Sequence, residues 1–341
     1  MVNGYYKKLQ EIAMKHLFLK ACMTFLLVGV TAIAPQPSDA ASKDVTILGG
    51  GTGGMFSIMA EGVGEVLRRH VPDYRVTVEP GKDGPNQVMI SRNQVPLALG
   101  YGCIAKRAID GQTPYKAPLK NLRAVGVINT ISALQFIVDK KTGITSIEQI
   151  KEKKYPLRIA VNRAGSVMDV AADGVFRAYG FTYKDIESWG GKVMKIPGPE
   201  AMSLWDAGQA DAIIEISQYP TSRFVELAQK HDLTMLPIDK DKLEEVSKAL
   251  GMTPLTIEKG AYDFVTADTL TINTPVVLMT SADTSDELIR NVCEAIVERL
   301  DYLRGVHVNL SSLTPEIVAG NTLIPLHPAA EAYYRQIGAL K

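Results

Sequence analysis

The 341 residues carry 37 Lys and Arg against 37 Asp and Glu and are 46% hydrophobic. That balance excludes a disordered chain and leaves no basic footprint for nucleic acid. The length exceeds what one compact core usually holds, so two lobes are expected.

Lys15 and Lys20 lead into an apolar run from Ala21 to Ala34, followed by Pro35, Pro37 and the small-residue site Ser38-Asp39-Ala40. Basic start, short apolar run and small-x-small site together describe a cleaved secretory signal over residues 1–40. The run is too short to span a bilayer comfortably, so a membrane anchor is the competing view. Met14 offers a more usual signal opening than Met1, and Cys22 is no lipoprotein cysteine because the apolar run follows it. The mature chain is expected in a Gram-negative periplasm, slightly acidic, and not membrane-embedded. Of its two cysteines, Cys103 and Cys293, a disulfide is possible there, but buried free thiols are the preferred reading.

Beyond the signal, strands and helices alternate. Val45–Leu48 reads as a strand and runs into Gly49-Gly50-Gly51-Thr52-Gly53-Gly54. Phe56–His70 has an apolar face of helical period through Ile58, Met59, Val63, Val66 and Leu67. Arg75–Glu79 alternates as a second strand, and Pro85 starts a helix. Pro96–Gly100 and Leu122–Ile128 are further strands. A second unit opens at Ala133–Val138. It continues with a short helix from Ser146, a strand at Leu157–Val161, a small-residue turn at Asn162–Ser166 and a helix capped by Gly180. A strand at Lys192–Ile196, a helix at Pro199–Ala207 and a strand at Asp211–Ile216 follow. Past Lys240 the pattern is helical, then a strand returns at Thr274–Met279. Asp283 or Thr284 can cap a long helix through Leu300. The alternation predicts α/β lobes, each a mostly parallel sheet with helices on both faces. The stretches Asn86–Gly100 and Glu200–Ile216 both read helix, polar turn, apolar strand, a faint internal echo. A chain that leaves lobe one, builds lobe two and returns crosses twice, near Ile131 and near Ile272, and these crossings would form a hinge. The expected division is 41–132 plus 270–341 for lobe I and 133–269 for lobe II.

The glycine-rich turn exposes main-chain N–H groups at a helix start, where a small anion can be held. Gly51, Thr52 and Gly53, with Phe56 and Ser57 behind them, are therefore candidates. Gly49, Gly51 and Gly54 also satisfy G-x-G-x-x-G with Glu79 ending the next strand. An exported dinucleotide-dependent oxidoreductase is thus the rival from another class, and tight packing at glycine the plain structural alternative. In lobe II the matching turn offers Asn162, Arg163, Gly165 and Ser166, with Val167 next in the helix. Arg163 supplies a fork for a carboxylate, unless it is simply an exposed arginine. Strand ends facing the crevice add Tyr101, Gln218 and Tyr219.

Catalytic patterns are missing. There is no G-x-S-x-G and no H-E-x-x-H, and His70, His231, His307 and His327 lack metal-ligand spacing. Asp211 and Glu215 share a strand at a spacing too weak to nominate an acid–base pair. The expectation is a binding protein and not an enzyme, a monomer with no metal and no cofactor.

Gly50-Gly51-Thr52-Gly53-Gly54 after a strand, Ala164-Gly165-Ser166 and Ala207-Gly208-Gln209-Ala210-Asp211-Ala212 resemble motifs of the TAXI family, solute receptors of TRAP transporters. The tail Pro325-Leu326-His327-Pro328-Ala329-Ala330-Glu331-Ala332-Tyr333-Tyr334 is similar to that family's ending and is the most specific match. The resemblance spans the mature chain. It implies a type II periplasmic-binding-protein fold, two α/β lobes with a hinge between them. It also implies a glutamate-like or dicarboxylate ligand in the interlobe cleft and delivery to the membrane subunits of a sodium-driven TRAP transporter. Gly51, Thr52, Gly53, Asn86, Gly165 and Ser166, with Gln218 and Tyr219, carry over as ligand contacts. The family usually has two tyrosines at Phe56 and Ser57, and often a threonine and an acidic residue at Val167 and Met168. Those departures argue against an ammonium-bearing ligand and for a more apolar organic anion.

Overall fold

The computed structural model describes residues 43–341 apart from Gly53 and Asn321. The expected export signal therefore lies outside the described residues. In chain order the first elements are β1 (Lys43–Leu48), α1 (Met55–His70), β2 (Tyr74–Glu79), α2 (Pro85–Ser91), β3 (Leu97–Tyr101), α3 (Gly102–Asp110) and β4 (Leu122–Asn129). Next come β5 (Ala133–Asp139), α4 (Ile147–Glu152), β6 (Arg158–Ala160), α5 (Val167–Ala178), α6 (Tyr183–Ser188), β7 (Lys192–Met194), α7 (Gly198–Asp206), β8 (Ala212–Ser217), α8 (Ser222–Ala228) and β9 (Leu233–Leu236). The chain closes with α9 (Lys240–Leu250), β10 (Thr253–Ile257), β11 (Thr269–Asn273), β12 (Val276–Ser281), α10 (Asp286–Glu298), α11 (Leu300–Val306), α12 (Pro315–Ala319) and α13 (Pro328–Gln336).

Strand side chains alternate between faces, so a strand apolar on both parities demands cover on both sides. In the first sheet Leu97, Leu99, Val276 and Leu278 pack under α1 and α10, while Ala98, Val277 and Met279 pack on the opposite face with Ile90 and Ala105. The second sheet repeats this: Leu134, Phe136, Ile214 and Ile216 face α5, and Ala133, Ile137 and Ile213 face a core with Trp205 and Phe224.

The first sheet has the order β2-β1-β3-β12-β4, and the second contains β7-β6-β8-β5 with β9 on the far side of β5. The two orders are the same pattern. In each, the fourth strand is a crossing strand that lies antiparallel to its neighbours. β5 arrives from the first sheet after β4, and β12 returns from the second after β11. Each enters its sheet from the other lobe, which is why both sheets are mixed and not uniformly parallel. The echo in the sequence has a physical basis: α2–β3 and α7–β8 hold equivalent places in the two sheets.

The crossings occupy residues 130–132 and 274–275. They are tied together: Asn273 donates through Nδ2 to the Thr130 carbonyl at 2.9 Å, and Ser132 N–H donates to Asn273 Oδ1 at 2.7 Å. The expected lobe boundary at 270 falls inside β11, whose ladders join β10 and β5. The helix expected from an Asp283 or Thr284 cap is instead capped by Ser285, which accepts from Leu288 N–H, and it breaks at Arg299. The C-terminal tail clamps the first sheet. Ala124 N–H donates to the Pro325 carbonyl, His327 N–H to the Ala124 carbonyl, and Tyr334 Oη to the Val125 carbonyl at 3.0 Å. Cys103 and Cys293 are free and buried, in different cores. Among the described residues no helix is long and apolar enough to cross a membrane.

Candidate functional site

The carboxyl ends of β1, β3 and β8 meet along one seam. Tyr101, ending β3, donates its hydroxyl to the Ile216 carbonyl in β8 at 3.1 Å. Phe56, in the first turn of α1, lies against the Tyr101 ring with centroids 4.9 Å apart. Gly165, at the start of α5, would bring a Cβ within 3.5 Å of Pro114 from the first lobe. The first glycine-bearing helix start therefore borders the seam, and the second meets the first lobe at Pro114.

The first start is open at one position. A Cβ on Gly51 would meet nothing within 4 Å, and Gly51 and Thr52 are exposed. At Gly50 a Cβ would stand 2.8 Å from Phe56 Cβ, so glycine there makes room for the aromatic ring. Ser57 donates its hydroxyl to the Gly51 carbonyl at 2.9 Å, holding the turn. Gly53 lies outside the described residues. Asn86 is 1% exposed. Its Nδ2 donates to the Gly49 and Leu99 carbonyls at 3.0 and 2.8 Å, and its Oδ1 accepts from Lys82 N–H. Asn86 thus spends its polar atoms aligning the ends of β1 and β3.

The second start is filled from within. Gly165 N–H donates to Asp169 Oδ2 at 2.8 Å, and Ser166 N–H to the Arg163 carbonyl at 3.0 Å. Ser166 caps α5 by accepting from Asp169 N–H at 3.3 Å. Asp169 also holds Tyr183 Oη and Lys195 Nζ, each at 3.0 Å from Oδ1. A carboxylate of the chain itself occupies the place expected for a guest anion. The charge thought missing at this helix start is present one residue further on. Val167 and Met168 are buried at 2% and 8% exposure in the second lobe's core. Asn162 takes a left-handed φ of 62° and accepts through Oδ1 from Arg163 N–H, leaving the Arg163 side chain exposed. Gln218 is half-buried beside the seam. Tyr219 turns away, donating to the Thr256 carbonyl at 3.3 Å.

The structure adds groups the sequence reading missed. Asp83 accepts from Gln87 Nε2 at 2.8 Å and from Tyr101 N–H at 3.2 Å through Oδ1. Its residue keeps a little surface, but among the described residues Oδ2 is buried with no partner. Burial pushes the Asp83 carboxyl up to about 6. Glu215 is 7% exposed and binds Arg223 Nη1 at 2.9 Å. Burial raises its pKa and Arg223 draws it back. Burial, with Glu215 and Asp83 adding to it, drives the Tyr101 hydroxyl well above its ordinary value, so it stays a neutral donor. The usable signal for Glu215 was a charged residue inside the isoleucine strand Ala212–Ser217. For Asp83 it was an acid between glycines just before Pro85. A hollow of about 430 Å³ beside α1 and α11 is lined by Ser57, Glu61 and Tyr302, and of the expected contacts includes Ser57 alone. Among the described residues no three of His, Cys, Asp and Glu are grouped to hold a metal.

The pattern of the NMT1-like family matches residues 47–338. The chain belongs to the NMT1-like family. Among solved structures, this NMT1-like protein is similar to MatC from Rhodopseudomonas palustris with bound malate. The TM-score is 0.54 and the identity 12%, over 88% of this chain and 99% of that one. It also matches the periplasmic aliphatic sulphonate binding protein SsuA from Escherichia coli at TM-score 0.46 and 12% identity, over 86% and 78% of the chains. A TctC solute binding protein from Polaromonas matches at TM-score 0.47 and 14% identity, over 88% and 100%. The MatC match and the paired sheet orders agree on one fold for this NMT1-like chain, a two-lobed α/β architecture shared with MatC.

Proposed function

We propose that this protein is an exported, periplasmic solute receptor that captures a small organic carboxylate between its lobes and does not transform it. The observation that carries the reading is the Tyr101–Ile216 contact, which sets the carboxyl ends of corresponding strands, β3 and β8, against each other. In α/β sheets ligands bind outside such ends. Family membership across 47–338 and the fold shared with malate-bound MatC support it.

In this reading Gly51 and Thr52 supply main-chain donors at the start of α1, and Arg163 and Gln218 approach from the second lobe. Asp83 gives the site one buried acceptor, suited to a hydroxyl or amino group beside the carboxylate. Lobe I comprises the chain up to residue 132 and from 274 onward, lobe II the stretch between, and the paired crossings at 130–132 and 274–275 form the hinge. Closure excludes water and strengthens the polar contacts, and the solute favours the closed form only through its differential contacts. The resemblance of the opening turn and the tail to TAXI receptors leads us to propose a TRAP-type transporter as the recipient.

Thermal unfolding with malate, glutamate, benzoate and an alkyl sulfonate tests the reading. A ligand that binds only the folded state must raise the midpoint in a concentration-dependent way. The expected result is such a shift with at least one carboxylate. No shift with any of the four would contradict it.

A further inference from the structure

A groove of about 610 Å³ opens between α3, α9 and β10 and shares no lining residue with the seam. The volume suits a small ligand. Its walls include Leu243, Met252, Pro254 and Leu323, so the body of any occupant meets hydrocarbon. Three ammonium groups, Lys106, Lys240 and Lys248, stand at the same groove, against one carboxylate, Glu244. Lys106 is engaged with Asp110, while among the described residues Lys240 and Lys248 enter no ion pair.

One polar group inside the groove lacks a partner. Ser247 is 8% exposed, and among the described residues its Oγ is buried with no hydrogen bond. A buried hydroxyl left without a partner costs free energy, which a turn of the Ser247 side chain toward a ligand oxygen in the groove would recover. Apolar walls, a net positive rim and an unmet hydroxyl define the complementary guest. We propose that this groove is a second binding site, distinct from the seam, for an amphipathic carboxylate with an alkyl or aryl body.

The groove is placed to sense lobe position. Lys106 belongs to α3, which packs both ways: Ala105 and Ala108 lie in the first lobe's core, Cys103 and Ile104 in the second's. The start of α3 is tied to the second crossing: Gly102 N–H donates to the Pro275 carbonyl and Cys103 N–H to Thr274 Oγ1 at 3.1 Å. Arg107 of α3 donates to the Ala249 carbonyl in α9 at 3.3 Å. A guest spanning α3 and α9 would fasten the lobes at their hinge. Its occupancy would then be coupled reciprocally to solute binding at the seam.

Calorimetric titration of decanoate, below its micellar range, tests the proposal, with decyltrimethylammonium as the opposite-charge probe. The expected result is saturable one-to-one binding of decanoate and none of the ammonium. The double variant Lys240→Gln/Lys248→Gln, exposed at both positions, should weaken decanoate by about tenfold or more. Ser247→Leu, which fills the groove, should abolish binding, with circular dichroism reporting its folding. Tyr101→Ala, which loosens the contact between lobes, should change decanoate affinity by less than the double variant does. Absence of decanoate binding, equal binding of both probes, or full affinity in the double variant would each overturn the proposal. A larger loss in Tyr101→Ala than in the double variant would move decanoate to the seam and overturn it too.

Discussion

At the scale of single residues, Asp83 and Asn86 divide the work of the first lobe's loops. Asn86 is satisfied on every side and fixes where two strands end; Asp83 is left with one oxygen unmet. The Asp83 carboxyl lies at about 6 in the folded chain against an ordinary 3.8. Between those values the folded protein holds a proton that the unfolded chain has released. Its contribution to stability is therefore complete below 3.8 and is lost as pH rises through about 6. Asp83→Asn removes this titration. The variant should match wild type at the acid end and exceed it at pH 8 by roughly 1–3 kcal/mol. Denaturant unfolding across that range measures it, and parallel curves for the two proteins would contradict the assignment. Neither role was legible in the sequence. The expectation of a ligand contact at Asn86 came from its place at a helix start, and the bonds to Gly49 and Leu99 show only in three dimensions.

Elements were far more legible than their side-chain roles. Buried strands such as Leu97–Tyr101 and Val276–Ser281 and the amphipathic α1 follow from local apolar period, and their spans fall close to expectation. Antiparallel partners were not legible, because a buried strand is apolar on both faces whichever way its neighbour runs; β5 and β12 owe their direction to the crossings. The start of α5 shows the same limit. Its glycine and serine promise open donors, yet Asp169 folds back to take the Gly165 N–H and the Arg163 carbonyl takes that of Ser166, and no short-range pattern separates a helix start that awaits a ligand from one already satisfied. Asp169→Ala should free Gly165 N–H and strip Lys195 and Tyr183 of their shared partner. It should cost about 2–4 kcal/mol of stability, read from the unfolding midpoint. A loss below about 0.5 kcal/mol, the range of ordinary surface changes, would show that this network is not holding the turn.

At the scale of the molecule, two sheets of one strand order exchange a strand apiece, and the tail locks the first of them through Pro325, His327 and Tyr334. That clamp gives the tail a structural reason for its specific sequence, independent of any solute. The exchange leaves a pair of short crossings as the covalent path between lobes and sets Tyr101 at the junction of their carboxyl edges. Calorimetric titration of malate, glutamate and benzoate into wild type, Tyr101→Ala and the surface control Tyr302→Ala tests that geometry most directly. The account predicts one-to-one binding of at least one acid, weakened about tenfold or more in Tyr101→Ala and unchanged in Tyr302→Ala. Undiminished affinity in Tyr101→Ala, or no binding of any of the three acids to wild type, would contradict it.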